Sequence, residues 1–171
     1  MAPRVVLIGP PGAGKSSVGQ LLARRWGVGF RDTDTDVEAA AGMSVADIFV
    51  LHGEPDFRRR EHDAVVAALA EHDGVLALGG GAVMTPAVAD ALAGHTVAFL
   101  DVGLSQASDR VGLSVARPLL LGNVRGTLRT QLETRRPTYL RLAGIVVDTN
   151  DRSVDEVADA LAGAIERALH E

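Results

Sequence analysis

Short apolar runs alternate along the chain with stretches whose apolar residues return every three or four positions. Val5–Ile8 is the first run, continuous enough for a strand buried on both faces. Val18, Leu21, Leu22 and Trp26 follow at helical spacing, and Gly27 is a natural stop. Residues 29–31 end a second strand, Ser44 opens a short helix, and 54–72 reads as a long helix with Pro55 tolerated in its first turn. A third apolar run covers 75–78. Thr85 and Pro86 supply an N-cap and a proline at the first helical position, and Gly94 closes that helix. The pattern then predicts a strand over 96–102, a helix beginning over 105–110, a longer helix over 125–141 and a fifth strand over 145–147. Ser153 to Glu156 is a capping box ahead of Val157, Leu161, Ile165 and Leu169. Strands alternating with helices imply an α/β fold, a doubly wound five-stranded parallel sheet flanked by helices. At 171 residues, without repeat or linker, residues 1–171 read as one domain.

A parallel sheet binds ligands beyond the carboxyl ends of its strands. After the first strand, Gly9-Pro10-Pro11-Gly12-Ala13-Gly14-Lys15-Ser16 fits G-x-x-x-x-G-K-[ST]. In such a loop backbone N–H groups wrap phosphates, the lysine reaches the β/γ-phosphates and the hydroxyl ligates Mg²⁺. A plain glycine-rich turn could fit the same letters, but the strand before and the helix after supply the setting a phosphate loop needs. Lys15 is also the only lysine beside 16 arginines.

After the second strand come Asp32, Thr33 and Asp34. One carboxylate near Ser16 suits Mg²⁺ through its water shell, and the other suits an acceptor hydroxyl, to orient or deprotonate it. The bland alternative is a pair of helix-capping aspartates ahead of Val37; the phosphate loop favours the chemical reading. After the third strand, Gly79, Gly80 and Gly81 offer backbone N–H groups with no Cβ to block a close ligand, though a permissive turn would look the same.

Glu61 lies near the middle of an apolar helical face made by Phe57, Ala64, Val65 and Ala68. A carboxylate there needs a partner, and Arg58 stands three residues earlier. The pair either fixes packing or holds Arg58 rigid to grip a substrate carboxylate; the pattern leaves both open. Gly112 to Gly122 is apolar, bracketed by glycines and carries one charge, Arg117. It reads as a mobile lid, about 112–124, bringing an arginine to the phosphates, against the alternative of an ordinary loop.

Composition narrows the classes. An apolar content of 47% argues against disorder, and a net charge of −5 argues against nucleic acid as the main partner. Without cysteine there is neither a disulfide framework nor a Cys-type zinc site. No apolar run is long enough to span a bilayer or serve as a signal peptide, so the expected address is cytoplasmic. A GTP-dependent switch would need an N-K-x-D guanine reader, which a chain whose single lysine is Lys15 lacks.

Taken in order, Gly9 to Ser17, Asp32-Thr33-Asp34, Phe57-Arg58-Arg59-Arg60-Glu61, Gly79-Gly80-Gly81-Ala82, Arg117-Pro118-Leu119-Leu120 and Arg135-Arg136-Pro137-Thr138-Tyr139 resemble the shikimate kinase family over essentially the whole chain. The resemblance implies a P-loop kinase moving the γ-phosphoryl group of ATP to the 3-hydroxyl of shikimate, with Mg²⁺. It implies that Gly12, Ala13, Gly14, Lys15, Ser16 and Ser17 hold the nucleotide phosphates, with Arg110 on adenine and Arg152 nearby. It gives Ser16 and Asp32 to the metal. Lys15, Asp34 and Arg117 become the catalytic set, with Asp34 on the shikimate hydroxyls and Arg117 at the γ-phosphate. Within a substrate-binding region of about 33–61, Arg58 is paired with a second arginine to clamp the carboxylate. Gly79, Gly80 and Gly81 line the pocket, and Phe49 and Phe57 wall it. The R-x-P-x-Y pattern assigns the second arginine to Arg135, with Arg136 as its neighbouring rival. Val154 stands where the family usually has a proline bordering adenine. The implied partners are shikimate and ATP, with no nucleic acid and no membrane, and the chain is expected to be a monomer. The alternatives are another small-metabolite kinase, such as a gluconate-type kinase, or a non-catalytic nucleotide-binding regulator.

Overall fold

Val5–Ile8 forms β1 at the centre of a five-stranded sheet, paired in parallel with β3 (Val75–Ala77) on one side and β4 (Val97–Asp101) on the other. The computed structural model describes residues 2–107 and 124–170. β2 (Phe30–Asp32) and β5 (Ile145–Asp148) complete the parallel order β2-β3-β1-β4-β5.

Successive strand residues face opposite sides, which gives the sheet two cores. Val5, Leu7, Val75, Ala77, Ala98 and Leu100 pack with Val18 and Leu22 of α1 (Lys15–Trp26) and with Leu161 and Ile165 of α7 (Val154–Leu169). Val6, Ile8, Leu76, Leu78, Val97 and Phe99 pack with Val65 and Leu69 of α4 (Glu54–Glu71) and Val88 of α5 (Pro86–Ala91). Tyr139 of α6 (Val124–Leu142) joins that second core. Burial on both faces explains why β1 is apolar at every position.

The chain leaves β1 and β3 toward opposite faces of the sheet, through α1 and α5. That divergence opens a crevice at the carboxyl ends of the two adjacent strands. Beside it, α2 (Thr33–Ala41), α3 (Val45–His52) and α4 share a separate small core of Val37, Ile48 and Phe57.

Local chemistry sets several boundaries. Gly27 ends α1 in the left-handed conformation, with φ 66°. Ser44 Oγ accepts from the Asp47 N–H at 3.1 Å to start α3. Both bonds of the capping box form at Ser153 and Glu156. α5 stops at Ala91, before the turn at Gly94. Residues 104–107 are helical, as expected for the start of 105–110; the remainder of that expectation lies outside the described residues.

Candidate active site

The crevice is floored by the loops that follow β1, β2 and β3. Gly14 is the N-cap of α1 at φ 90°, a left-handed backbone that side chains resist, and no side chain caps the helix. The first N–H groups of α1 are thereby directed at whatever sits beyond it, with no acidic residue in the first turn to repel an anion. Lys15 Nζ donates to the Gly9 carbonyl at 2.7 Å and the Pro10 carbonyl at 3.0 Å, so its ammonium lies across its own loop. An amine-reactive reagent should modify Lys15 and the N-terminus only, and Mg-ATP should protect Lys15. Peptide mapping that finds Lys15 labelled equally at saturating nucleotide would remove it from the phosphate site.

Asp32 serves two neighbours. Its Oδ1 accepts the Asp34 N–H at 2.8 Å and so caps α2, while its Oδ2 accepts from Ser16 Oγ at 3.2 Å. Helix capping and contact with the phosphate loop are therefore one arrangement rather than rivals. Burial pushes the Asp32 carboxyl above its ordinary range and the Asp34 charge adds to this; the Asp34 N–H, Lys15 and Ser16 oppose it. Among the described residues no group of three His, Cys, Asp or Glu side chains gathers to hold a metal. One hydroxyl and one carboxylate side by side nevertheless fit Mg²⁺, which keeps several waters and takes phosphate oxygens.

The side of the crevice after β3 is organised by the triple glycine. A methyl group on Gly79 would lie 2.7 Å from Asp34 Oδ1 and 2.9 Å from Glu61 Oε2. One on Gly80 would lie 2.8 Å from the Pro11 ring of the phosphate loop. One on Gly81 would lie 2.5 and 2.9 Å from the two terminal nitrogens of Arg58 and 3.0 Å from a terminal nitrogen of Arg135. Two carboxylates thus meet at one end of the turn and two guanidiniums at the other.

Arg58 is held in place by Glu61 Oε1 at 2.8 Å, with Glu54 at 3.5 Å. Glu61 is buried, only 1% exposed, and burial raises its pKa; the Arg58 charge and hydrogen bond oppose this, Asp34 adds to it and Arg135 opposes it. The Phe57 ring lies 5.2 Å from the Arg58 guanidinium and 4.8 Å from the Phe49 ring, forming an apolar wall. The adjacent arginines of α6 part company. Arg136 pairs with Asp101 at 2.9 Å and is 52% exposed, whereas Arg135 reaches Gly81. Tyr139, one turn beyond Arg135, donates its hydroxyl to the Gly80 carbonyl.

Gly12, Ala13 and Ser17 sit in the phosphate loop and the first turn of α1. Arg152 is exposed in the turn before α7, near Glu156, and Val154 begins that helix. Arg110, Arg117 and residues 112–123 of the expected lid lie outside the described residues. Tyr139 and Asp101 have contacts here that the sequence pattern does not assign. The spacing of Arg135 and Tyr139, four apart on one helix, was the available signal for the first. Nothing local signals the second.

A family model described as shikimate kinase matches residues 11–166. The shikimate kinase of Frankia casuarinae is 58% identical over 161 residues, spanning 94% of this chain and 72% of that protein. That of Streptomyces avermitilis is 52% identical over 164 residues, 96% of each chain. A solved shikimate kinase from Acinetobacter baumannii in complex with shikimate superposes with TM-score 0.93 at 30% identity, covering 98% of this chain and 94% of that one. A gluconokinase from Sinorhizobium meliloti superposes with TM-score 0.63 at 21% identity and shares the fold alone.

Proposed function

The chain belongs to the shikimate kinase family, and we propose that it moves the γ-phosphoryl group of ATP to the 3-hydroxyl of shikimate. The observation that carries the choice of acceptor is the triple-glycine turn, with Arg58 and Arg135 converging at Gly81 and Asp34 against Gly79. Two cations suit one carboxylate, and a carboxylate at the other end suits a hydroxyl.

The backbone N–H groups of 12–17 and the Lys15 ammonium bind the nucleotide phosphates, and Arg117 adds charge at the γ-phosphate. Ser16 and Asp32 would hold Mg²⁺, which would supply positive charge to neutralise the nucleotide phosphates. Arg58 and Arg135 grip the substrate carboxylate and so aim the acceptor hydroxyl along the line of transfer. Asp34 accepts the hydroxyl proton as the new bond to phosphorus forms and the bond from the γ-phosphorus to the β,γ-bridging oxygen breaks, with ADP leaving. Arg110 stacks on adenine, with Arg152 nearby. Among the described residues no helix is long and apolar enough to cross a membrane, and the reading extends to a cytoplasmic monomer without a nucleic-acid partner.

A coupled assay offering ATP with shikimate, gluconate or nucleoside monophosphates tests the acceptor. Turnover of gluconate in preference to shikimate would overturn the assignment, and no turnover of any acceptor would favour a non-catalytic regulator. The two arginines give a sharper check. A hydrogen bond to a charged group is worth about 1.5–3 kcal/mol, so Arg135→Ala should weaken shikimate binding roughly 10- to 150-fold. Arg136→Ala, which loses only a partly exposed pair with Asp101, should change it little. A titration with the opposite ranking would assign the carboxylate to Arg136.

A further inference from the structure

Tyr139 is the only tyrosine in the chain and heads the fully buried side chains of the described residues in size. Its ring stacks on Phe99 of β4 with centroids 4.9 Å apart and planes at 28°. Phenylalanine would fill that place equally well, so the hydroxyl needs its own explanation. A hydroxyl taken out of water must find partners. This one donates to the Gly80 carbonyl, 59 residues away in sequence. Arg135 lies one turn earlier on α6, with a terminal nitrogen at Gly81, and its nearby charge pulls the phenol's pKa down. Burial outweighs that influence and pushes the phenol up to about 12, so the donor to Gly80 keeps its proton at any working pH.

Gly80 is the middle of the turn whose flanks carry the chemistry. Gly79 abuts Asp34 and Glu61, Gly81 abuts Arg58 and Arg135, and Gly80 itself abuts Pro11 of the phosphate loop. One hydroxyl thus holds the turn on which the arginines converge, and one of those arginines, Arg135, stands a single helical turn before it. We propose that Tyr139, through its hydroxyl, is a positioning residue for the acceptor. It holds the Gly80 peptide and the Arg135 guanidinium in one register, so that Arg135 meets the substrate carboxylate while Asp34 meets the reacting hydroxyl. The inference rests on shikimate being the acceptor. It differs from a packing role, because a hydroxyl that merely satisfied Gly80 would act independently of Arg135.

A double-mutant cycle separates the two. Tyr139→Phe in the wild-type enzyme should raise the shikimate KM about tenfold, the loss of about one hydrogen bond, with the ATP KM unchanged. In an Arg135→Ala background the same change should move the shikimate KM less than about twofold. An equal rise in both backgrounds, or none in the wild type, overturns the inference. Should Tyr139→Phe fail to fold, replacing the sole tyrosine biosynthetically by 3-fluorotyrosine gives a single ¹⁹F resonance. It should shift on saturation with shikimate in the wild type and stay put in Arg135→Ala at matched saturation; equal shifts in both overturn the inference. A wild-type enzyme that does not phosphorylate shikimate sinks the acceptor assignment, whereas an active wild type with an additive cycle sinks only the role of Tyr139.

Discussion

Asp34→Asn should lower kcat by about 10²–10⁴-fold, the usual contribution of a general base, while nucleotide affinity stays near that of the wild type. Asparagine keeps the size and part of the hydrogen bonding but removes charge and basicity. The structure separates the two aspartates in a way that makes the result informative. Ser16 bonds to Asp32, and Asp32 faces the phosphate loop. Asp34 packs instead on Gly79 beside Glu61, on the side proposed for the acceptor. Phosphoryl transfer asks a protein mainly to position groups and neutralise charge, so a modest effect is a real alternative. Steady-state kinetics together with an ATP titration read both quantities. A fall in kcat below about tenfold would mean that Asp34 only positions the hydroxyl, with proton loss following transfer. Collapse of ATP binding would mean that Asp34, not Asp32, organises the metal.

What could be read from the sequence was local. β1, the phosphate loop and α1 follow one another within 26 residues, and strand, glycine turn and helix each leave a signature there. The Arg58–Glu61 pair was legible for the same reason, being three residues apart on a helix whose apolar face made the acid conspicuous. α2 is visible in the sequence only as the alternative of capping aspartates ahead of Val37. Its sequence, TDTDVEAAA, offers Val37 as the only large apolar side chain, so no stripe marks it. The helix depends on the Asp32 cap and on packing against Ile48 and Phe57. The short 3-10 turn Ala82–Met84 is too brief to carry a period at all.

Contacts between distant segments were the other gap. The sequence offers Arg135 and Arg136 as neighbours of one chemistry. Their difference comes from Asp101, 35 residues back at the end of β4, which takes Arg136. The carbonyl of Gly80 and the hydroxyl of Tyr139 are likewise joined only by the sheet and by α6. Three glycines announce a permissive turn, but what each one touches is decided by four other segments: Asp34 of α2 and Glu61 of α4 at Gly79, Pro11 of the phosphate loop at Gly80, and Arg58 of α4 with Arg135 of α6 at Gly81.

That division makes Gly81→Ala the most telling single substitution on the substrate side. It should leave the protein folded, though with a lowered thermal midpoint. Gly81 has φ −98° and ψ 0°, a backbone that alanine adopts without strain. The atoms its methyl group would meet, at 2.5, 2.9 and 3.0 Å, are the ends of two flexible arginine side chains rather than backbone. The fold therefore survives at some cost, because the guanidiniums can give way but Arg58 then loosens its bond to the buried Glu61. Binding is not spared, because the methyl group takes the space in which they converge. Losing one charge-assisted bond costs about 1.5–3 kcal/mol, and displacing both arginines should weaken shikimate binding on the order of a hundredfold or more. ATP affinity should be unaffected, since none of the atoms the methyl group would meet belongs to the proposed phosphate site at 9–17. Gly144→Ala is the matched control, for a methyl group there meets nothing within 4 Å. Calorimetric titration of shikimate and ATP into the three proteins decides the matter. Unchanged shikimate affinity in a folded Gly81→Ala enzyme would show that Arg58 and Arg135 do not form the carboxylate site.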